Sequence, residues 1–152
     1  MTTLSVGDTA PDFEAKTHDG ASLKLSSLRG KRVVLYFYPK DDTPGCTTEA
    51  CDFRDAKPKF SRKKVEIVGV SPDSPERHAK FRDKHGLTFT LVSDADKKIA
   101  NAYGVFKEKN MYGKKVLGIV RTTFLIDAAG KIEAIWPGVK VNGHVEAVLE
   151  SL

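Results

Sequence analysis

Apolar and polar positions divide the chain into alternating extended and helical segments. The strongest apolar run, Val33-Val34-Leu35-Tyr36-Phe37-Tyr38, predicts a buried strand. Pro39 stops it, because proline has no N–H to give to a ladder. Thr43 followed by Pro44 reads as an N-cap with proline at the first helical position. The helix so begun is expected to end near Lys57, since Pro58 disfavours helical backbone in the residue before it. Val65 to Ser71 is a second buried strand. Ser74-Pro75-Glu76 supplies cap, proline and acid in order for a helix with His78, Phe81, Arg82 and His85 on one stripe, stopped at Gly86. Thr90 to Val92 is a short extended piece, and a further helix runs from Asp94 or Ala95 to Tyr103-Gly104.

The flanks are weaker in pattern. Phe13 to Thr17 and Ala21 to Leu25 form short strands joined at His18-Asp19-Gly20, a hairpin signal. Ser26 to Gly30 reads as one helical turn. Val105 to Lys115, polar with Gly113 inside, reads as a surface loop. Gly118 to Asp127 reads as one strand, turned at Asp127-Ala128-Ala129-Gly130 onto an antiparallel partner, Lys131 to Trp136. Asn142 is expected to cap a last helix with Val145, Val148, Leu149 and Leu152 at helical spacing. Two strand–helix–strand units require a central sheet with parallel pairs, and the late hairpin adds antiparallel strands. The expected fold class is α/β: a mixed sheet flanked by helices on both faces, preceded by a β-hairpin. With 152 residues and no linker or repeat, a single domain is expected.

Composition narrows the function. Apolar residues make up 40% and charged residues 30%, the balance of a folded, soluble protein rather than a disordered one. No apolar run is long enough to cross a bilayer, and Met1 to Asp8 lacks the charged-then-apolar pattern of a secretory signal. The expectation is a cytoplasmic protein without membrane contact. In that compartment two cysteines point to redox chemistry rather than a permanent bridge. The net charge of +5 is scattered, with Arg62-Lys63-Lys64 its densest cluster, so it describes a solvated surface and not a nucleic-acid site. His18, His78, His85 and His144 lie in different elements, and Cys46 and Cys51 are separated by four residues, poor spacing for zinc. Neither a metal nor a cofactor is expected.

The chemistry concentrates between Pro39 and Cys51. Cys46 falls in the first turn of the predicted helix, where unpaired N–H groups and the helix dipole favour an ionised thiol. The alternative is a small buried hydrophobe. Thr43 is either a helix cap or a hydroxyl able to donate to one substrate oxygen and accept from another. Arg121 lies in an otherwise apolar and hydroxylic stretch, Gly118 to Ile126. A guanidinium inside a sheet requires something negative beside it. That partner is either a carboxylate such as Glu49, in a structural ion pair, or the Cys46 thiolate, with Glu49 orienting the arginine. In an ideal helix, residues five apart have Cα atoms about 8.6 Å apart. A disulfide tolerates at most about 7 Å. A bond between Cys46 and Cys51 therefore requires the first turns to unwind.

Pro39, Thr43 and Cys46 reproduce a Pro-x-x-x-Thr-x-x-Cys signature, and Arg121 in Arg-Thr-Thr-Phe-Leu-Ile-Asp matches a distant arginine that accompanies it. In these, in Gly45-Cys46-Thr47-Thr48-Glu49-Ala50-Cys51, and from Gly7 to the last helix, the chain resembles the peroxiredoxins. The subgroup is the one called bacterioferritin comigratory protein or peroxiredoxin Q. The resemblance implies a thioredoxin-like fold and a cysteine peroxidase without haem or metal. It implies that Cys46 attacks hydrogen peroxide or an organic hydroperoxide and becomes a sulfenic acid. Cys51 then resolves it as an intramolecular disulfide, and thioredoxin or a similar dithiol protein reduces the disulfide. Thr43 and Arg121 would bind and polarise the peroxide, Pro39 would shield the pocket from water, and Glu49 would orient Arg121. No later cysteine follows Cys51, so a monomer is expected. Two rivals stand beside this reading. A general thiol–disulfide oxidoreductase usually carries Cys-x-x-Cys and leaves Arg121 without a task. A non-enzymatic peroxide sensor would use the disulfide only as a switch.

Overall fold

The computed structural model describes residues 4–152. The first three residues, part of the stretch read above for a signal, lie outside the described residues. An N-terminal hairpin, β1 (Glu14–Lys16) and β2 (Ser22–Lys24), leads through a 3-10 turn at Leu25–Leu28 into β3 (Arg32–Phe37). Then follow α1 (Pro44–Arg62), β4 (Val65–Ser71), α2 (Pro75–His85), β5 (Thr90–Ser93) and α3 (Lys98–Ala102). A second hairpin, β6 (Phe106–Met111) and β7 (Lys114–Ile119), precedes β8 (Thr122–Ile126), β9 (Ile132–Trp136) and α4 (His144–Glu150).

The central sheet has the order β5-β4-β3-β8-β9. β3, β4 and β5 are parallel, joined through α1 and α2, and β8 and β9 are antiparallel to their neighbours. Strand alternation sorts side chains to the two faces. Val34 and Tyr36 of β3 join Leu125, Leu91, Phe53, Phe60, Phe81 and Val148 on the face covered by α1, α2 and α4. Val33, Leu35 and Phe37 join Phe124, Val68, Ile99 and Tyr103 on the face covered by α3 and the N-terminal hairpin. β3 is therefore apolar from Val33 to Phe37, because both of its faces are covered there. Gly69 on β4 is required by this packing, since a Cβ there would lie 2.9 Å from both the Tyr36 ring and Leu91. Among the described residues no helix is long and apolar enough to cross a membrane.

Five expectations are corrected. α1 does not end at Lys57 but runs through Pro58 to Arg62. Pro58 is exposed, while Phe53 and Phe60 on either side of it are fully buried, and that burial outweighs the missing N–H. Val105 to Lys115 is not a loop, because most of it builds the β6–β7 hairpin around Tyr112-Gly113, both at positive φ as a type I′ turn requires. Gly118 to Asp127 is not one strand: it breaks at Val120-Arg121 where the chain leaves the hairpin for the central sheet. The last two helices start later than expected. α3 begins at Lys98, with the Asp94 carboxylate accepting from the Ile99 and Ala100 N–H groups, and α4 is entered through Gly143 at φ 76° rather than capped by Asn142.

Candidate active site

The last ladder bond of β3 is followed directly by the site. The Tyr38 N–H donates to the Val70 carbonyl (3.1 Å), and Pro39, half-buried, turns the chain off the sheet. Thr43 occupies the N-cap position with extended backbone, and its carbonyl accepts the Thr47 N–H (2.8 Å). Its side chain does not cap the helix. The hydroxyl donates to the Lys40 carbonyl instead (2.9 Å), which leaves its lone pairs to accept from a ligand. Cys46 sits in the first turn of α1, 1% exposed.

Arg121 reaches the thiol from the break between β7 and β8. The Val120 N–H donates to Val105 and the Val139 N–H to the Arg121 carbonyl, both at 2.8 Å, so the backbone at the break is tied on both sides. Its Nη1 donates to Cys46 Sγ (3.3 Å) and to Glu49 Oε1 (3.0 Å). Gly45 allows this approach, since a Cβ on it would lie 3.2 Å from Arg121 Nη2. Burial disfavours the guanidinium charge, yet Cys46 and Glu49 outweigh it and hold Arg121 above its ordinary range. Burial raises Glu49 to about 7 against the pull of Arg121, and its Oε2 has no hydrogen-bond partner among the described residues. The two readings of Arg121 are therefore not alternatives: one nitrogen serves both the carboxylate and the sulfur.

Cys51 is half-buried and free, and it shares the uninterrupted α1 with Cys46. The described geometry brings Cys46, Arg121 and Glu49 into contact and leaves Cys51 outside that contact. Two neighbours escaped the sequence reading. Lys109 on β6 donates to the Ile119 carbonyl (2.8 Å); burial and repulsion from Arg121 depress its pKa. His144 at the start of α4 lies 2.8 Å from the Thr123 hydroxyl, and burial, with the Arg121 charge nearby, lowers it to about 4. Neither carries a sequence signal, because each acquires its role only from the strand or helix packed beside it.

A buried thiol at a helix N-terminus, hydrogen-bonded by a guanidinium from the break before the neighbouring strand β8, is the arrangement expected of an enzyme that works through a cysteine. Comparison with known proteins gives the class its family. Residues 6–135 match the AhpC/TSA family. A putative peroxiredoxin bcp of Coxiella burnetii is 52% identical over 149 residues, covering 98% of this chain and 99% of the relative. Peroxiredoxin Bcp of Bacillus subtilis is 51% identical over 150 residues, covering 99% and 96%. A structure of the Xanthomonas campestris bacterioferritin comigratory protein superposes with a TM-score of 0.90 at 44% identity, covering 99% and 96%. The chain belongs to the AhpC/TSA family, among its Bcp, or peroxiredoxin Q, peroxiredoxins. It is a thiol-dependent peroxidase with the thioredoxin-like fold.

Proposed function

We propose that the protein reduces hydrogen peroxide and organic hydroperoxides in the cytosol, with Cys46 as attacking thiol, Cys51 as resolving thiol and a thioredoxin-like dithiol protein as reductant. The hydrogen bond from Arg121 Nη1 to Cys46 Sγ carries this reading, because a guanidinium placed there stabilises the thiolate and the charge leaving the peroxide. The Xanthomonas campestris relative has an alkyl peroxide reduction activity, which supports the organic branch.

The thiolate of Cys46 attacks the nearer peroxide oxygen as the O–O bond breaks. The departing oxygen takes a proton and leaves as water or alcohol, and the sulfur becomes a sulfenic acid. Thr43, whose hydrogen is held by Lys40, accepts from the peroxide O–H while Arg121 donates to its oxygens. Pro39 shields the pocket. The first turns of α1 then unwind, the Cys51 sulfur displaces the sulfenic oxygen as water, and a disulfide forms. A partner dithiol reduces it and is itself oxidised. Both thiols lie in one chain, so the cycle needs no second copy and the protein acts as a monomer.

Peroxide consumption with a thioredoxin system tests the assignment. Cys46→Ser should show no turnover, and Cys51→Ser one turnover followed by arrest in the absence of other thiols. Intact-mass analysis of the oxidised parent should show an internal 46–51 link. Two free thiols, or only intermolecular links, would overturn the role of Cys51.

A further inference from the structure

Behind the loop that presents Cys46 lies a buried charge cluster the reaction does not use. Asp41, between Pro39 and Thr43, is 3% exposed, and His78 of α2 is fully buried. One Asp41 carboxylate oxygen accepts from the Tyr38 hydroxyl and the other lies against His78 Nδ1, both at 2.6 Å. The Asp41 N–H donates to Asp73 Oδ2 (2.8 Å), which also accepts from the Ser71 hydroxyl, while Asp73 Oδ1 accepts from Arg77. On the far side of the imidazole, Nε2 stands 3.0 Å from the Val92 carbonyl oxygen. A carbonyl only accepts, so Nε2 bears a hydrogen, and the carboxylate takes a second from Nδ1. An imidazole donating at both nitrogens is a cation. Asp41, Asp73 and His78 offer ligand atoms within 4.8 Å of one another, but each such atom already has a hydrogen-bond partner, which argues against a metal there.

A desolvated ion pair is weak support for stability in general, and its better-attested use is to specify one arrangement. The loop here needs specifying. Asp42 has φ 60°, a left-handed conformation uncommon for a residue with a Cβ, though aspartate adopts it more readily than most. α2 imposes it from both sides: His78 grips Asp41 inside, and Lys84 (2.7 Å) and His85 (3.0 Å) grip Asp42 outside.

We infer that His78 is a positioning residue for the peroxide step, its ion pair with Asp41 pinning the 40–43 turn to α2 so that Thr43 and Cys46 return to one geometry after each disulfide cycle. The inference rests on the proposed peroxidase cycle. Its first test needs no variant: ring 15N shifts of His78 should show both nitrogens protonated at neutral pH, and a neutral-imidazole pattern would overturn the ion pair. The second compares His78→Phe with the parent. The peroxide-dependent step should slow roughly ten- to a hundredfold. Reduction of the preformed disulfide by dithiothreitol should be unchanged, and amide exchange should quicken at residues 41–46 while β4 stays protected. Equal losses in both half-reactions, or exchange unchanged at 41–46, would overturn the inference. A parent that consumes no peroxide would sink the proposed function, while the ring spectrum and the exchange comparison would still decide whether His78 holds the turn.

Discussion

At the scale of single residues, the site balances two buried groups whose ionisation acts on stability with opposite sign. Glu49 has a folded-state value of about 7 against 4.5 for the ordinary group, so the native state binds the extra proton. Its contribution is fully present below 4.5 and is lost as pH rises through 7. His144, lowered to about 4 from 6.5, contributes stability that is present above 6.5 and is lost as pH falls through 4. The two slopes partly cancel in the parent. Urea denaturation at pH 5 and pH 7 should therefore show Glu49→Gln gaining stability on going to pH 7, relative to the parent, by about 2–3 kcal/mol. His144→Gln should change in the opposite direction. If the two variants track the parent across that interval, these groups do not control its pH dependence. Gly45→Ala tests the approach of the guanidinium. A Cβ 3.2 Å from Arg121 Nη2 displaces the charge from the sulfur, and the peroxide step should slow about tenfold with stability changed by less than about 1 kcal/mol.

At the scale of elements, α1 carries a proline that its packing overrides. In Pro58→Ala the new N–H supplies the missing helical hydrogen bond, offset by greater freedom of the unfolded chain, and stability should rise by about 1–2 kcal/mol in urea titration. A decrease would mean that the ring itself packs favourably. Gly69→Ala on β4 should have the opposite outcome. Its Cβ meets the Tyr36 ring and Leu91 at 2.9 Å, both inside a closed layer, and overpacking of that kind costs about 1–3 kcal/mol. The β6–β7 hairpin stands apart from the central sheet and leaves Leu117 and Tyr112 exposed, yet it delivers Lys109 to the neighbourhood of the thiol. Its weak apolar alternation is why it reads as a loop: the hairpin meets the core at its base, through Phe106 and Ile119, and its outer residues lack the pattern that identifies a strand.

At the scale of the whole molecule, the two thiols share one uninterrupted helix that also packs against β4 and α4. The proposed 46–51 bond would require the first turns of α1 to unwind, while the sheet need not move. Oxidation with one equivalent of peroxide should lower far-UV helicity by about two turns, roughly seven residues. It should leave β3 and β4 amides protected, and Cys51→Ser should show no such loss. Helicity unchanged by oxidation of the parent would exclude local unwinding. Arg54 marks where the unwinding should stop, because its Nη1 holds the His85 carbonyl at 2.7 Å and ties that turn of α1 to α2.

What the residues determine alone is the local chemistry and the order of elements. A strand ended by Pro39, a helix begun at Thr43-Pro44, a thiol in its first turn and a guanidinium stranded in an apolar stretch are all set by neighbours in the chain, and short-range sterics and polarity suffice to read them. Only the folded molecule decides that α1 continues past Pro58, that the strand before Thr122 breaks at Arg121, and that this break carries the guanidinium to within 3.3 Å of the sulfur. The same holds for Asp41 and His78, 37 positions apart and joined across two elements. Those outcomes depend on burial and on pairing between distant segments, and neither is encoded in any one stretch of residues.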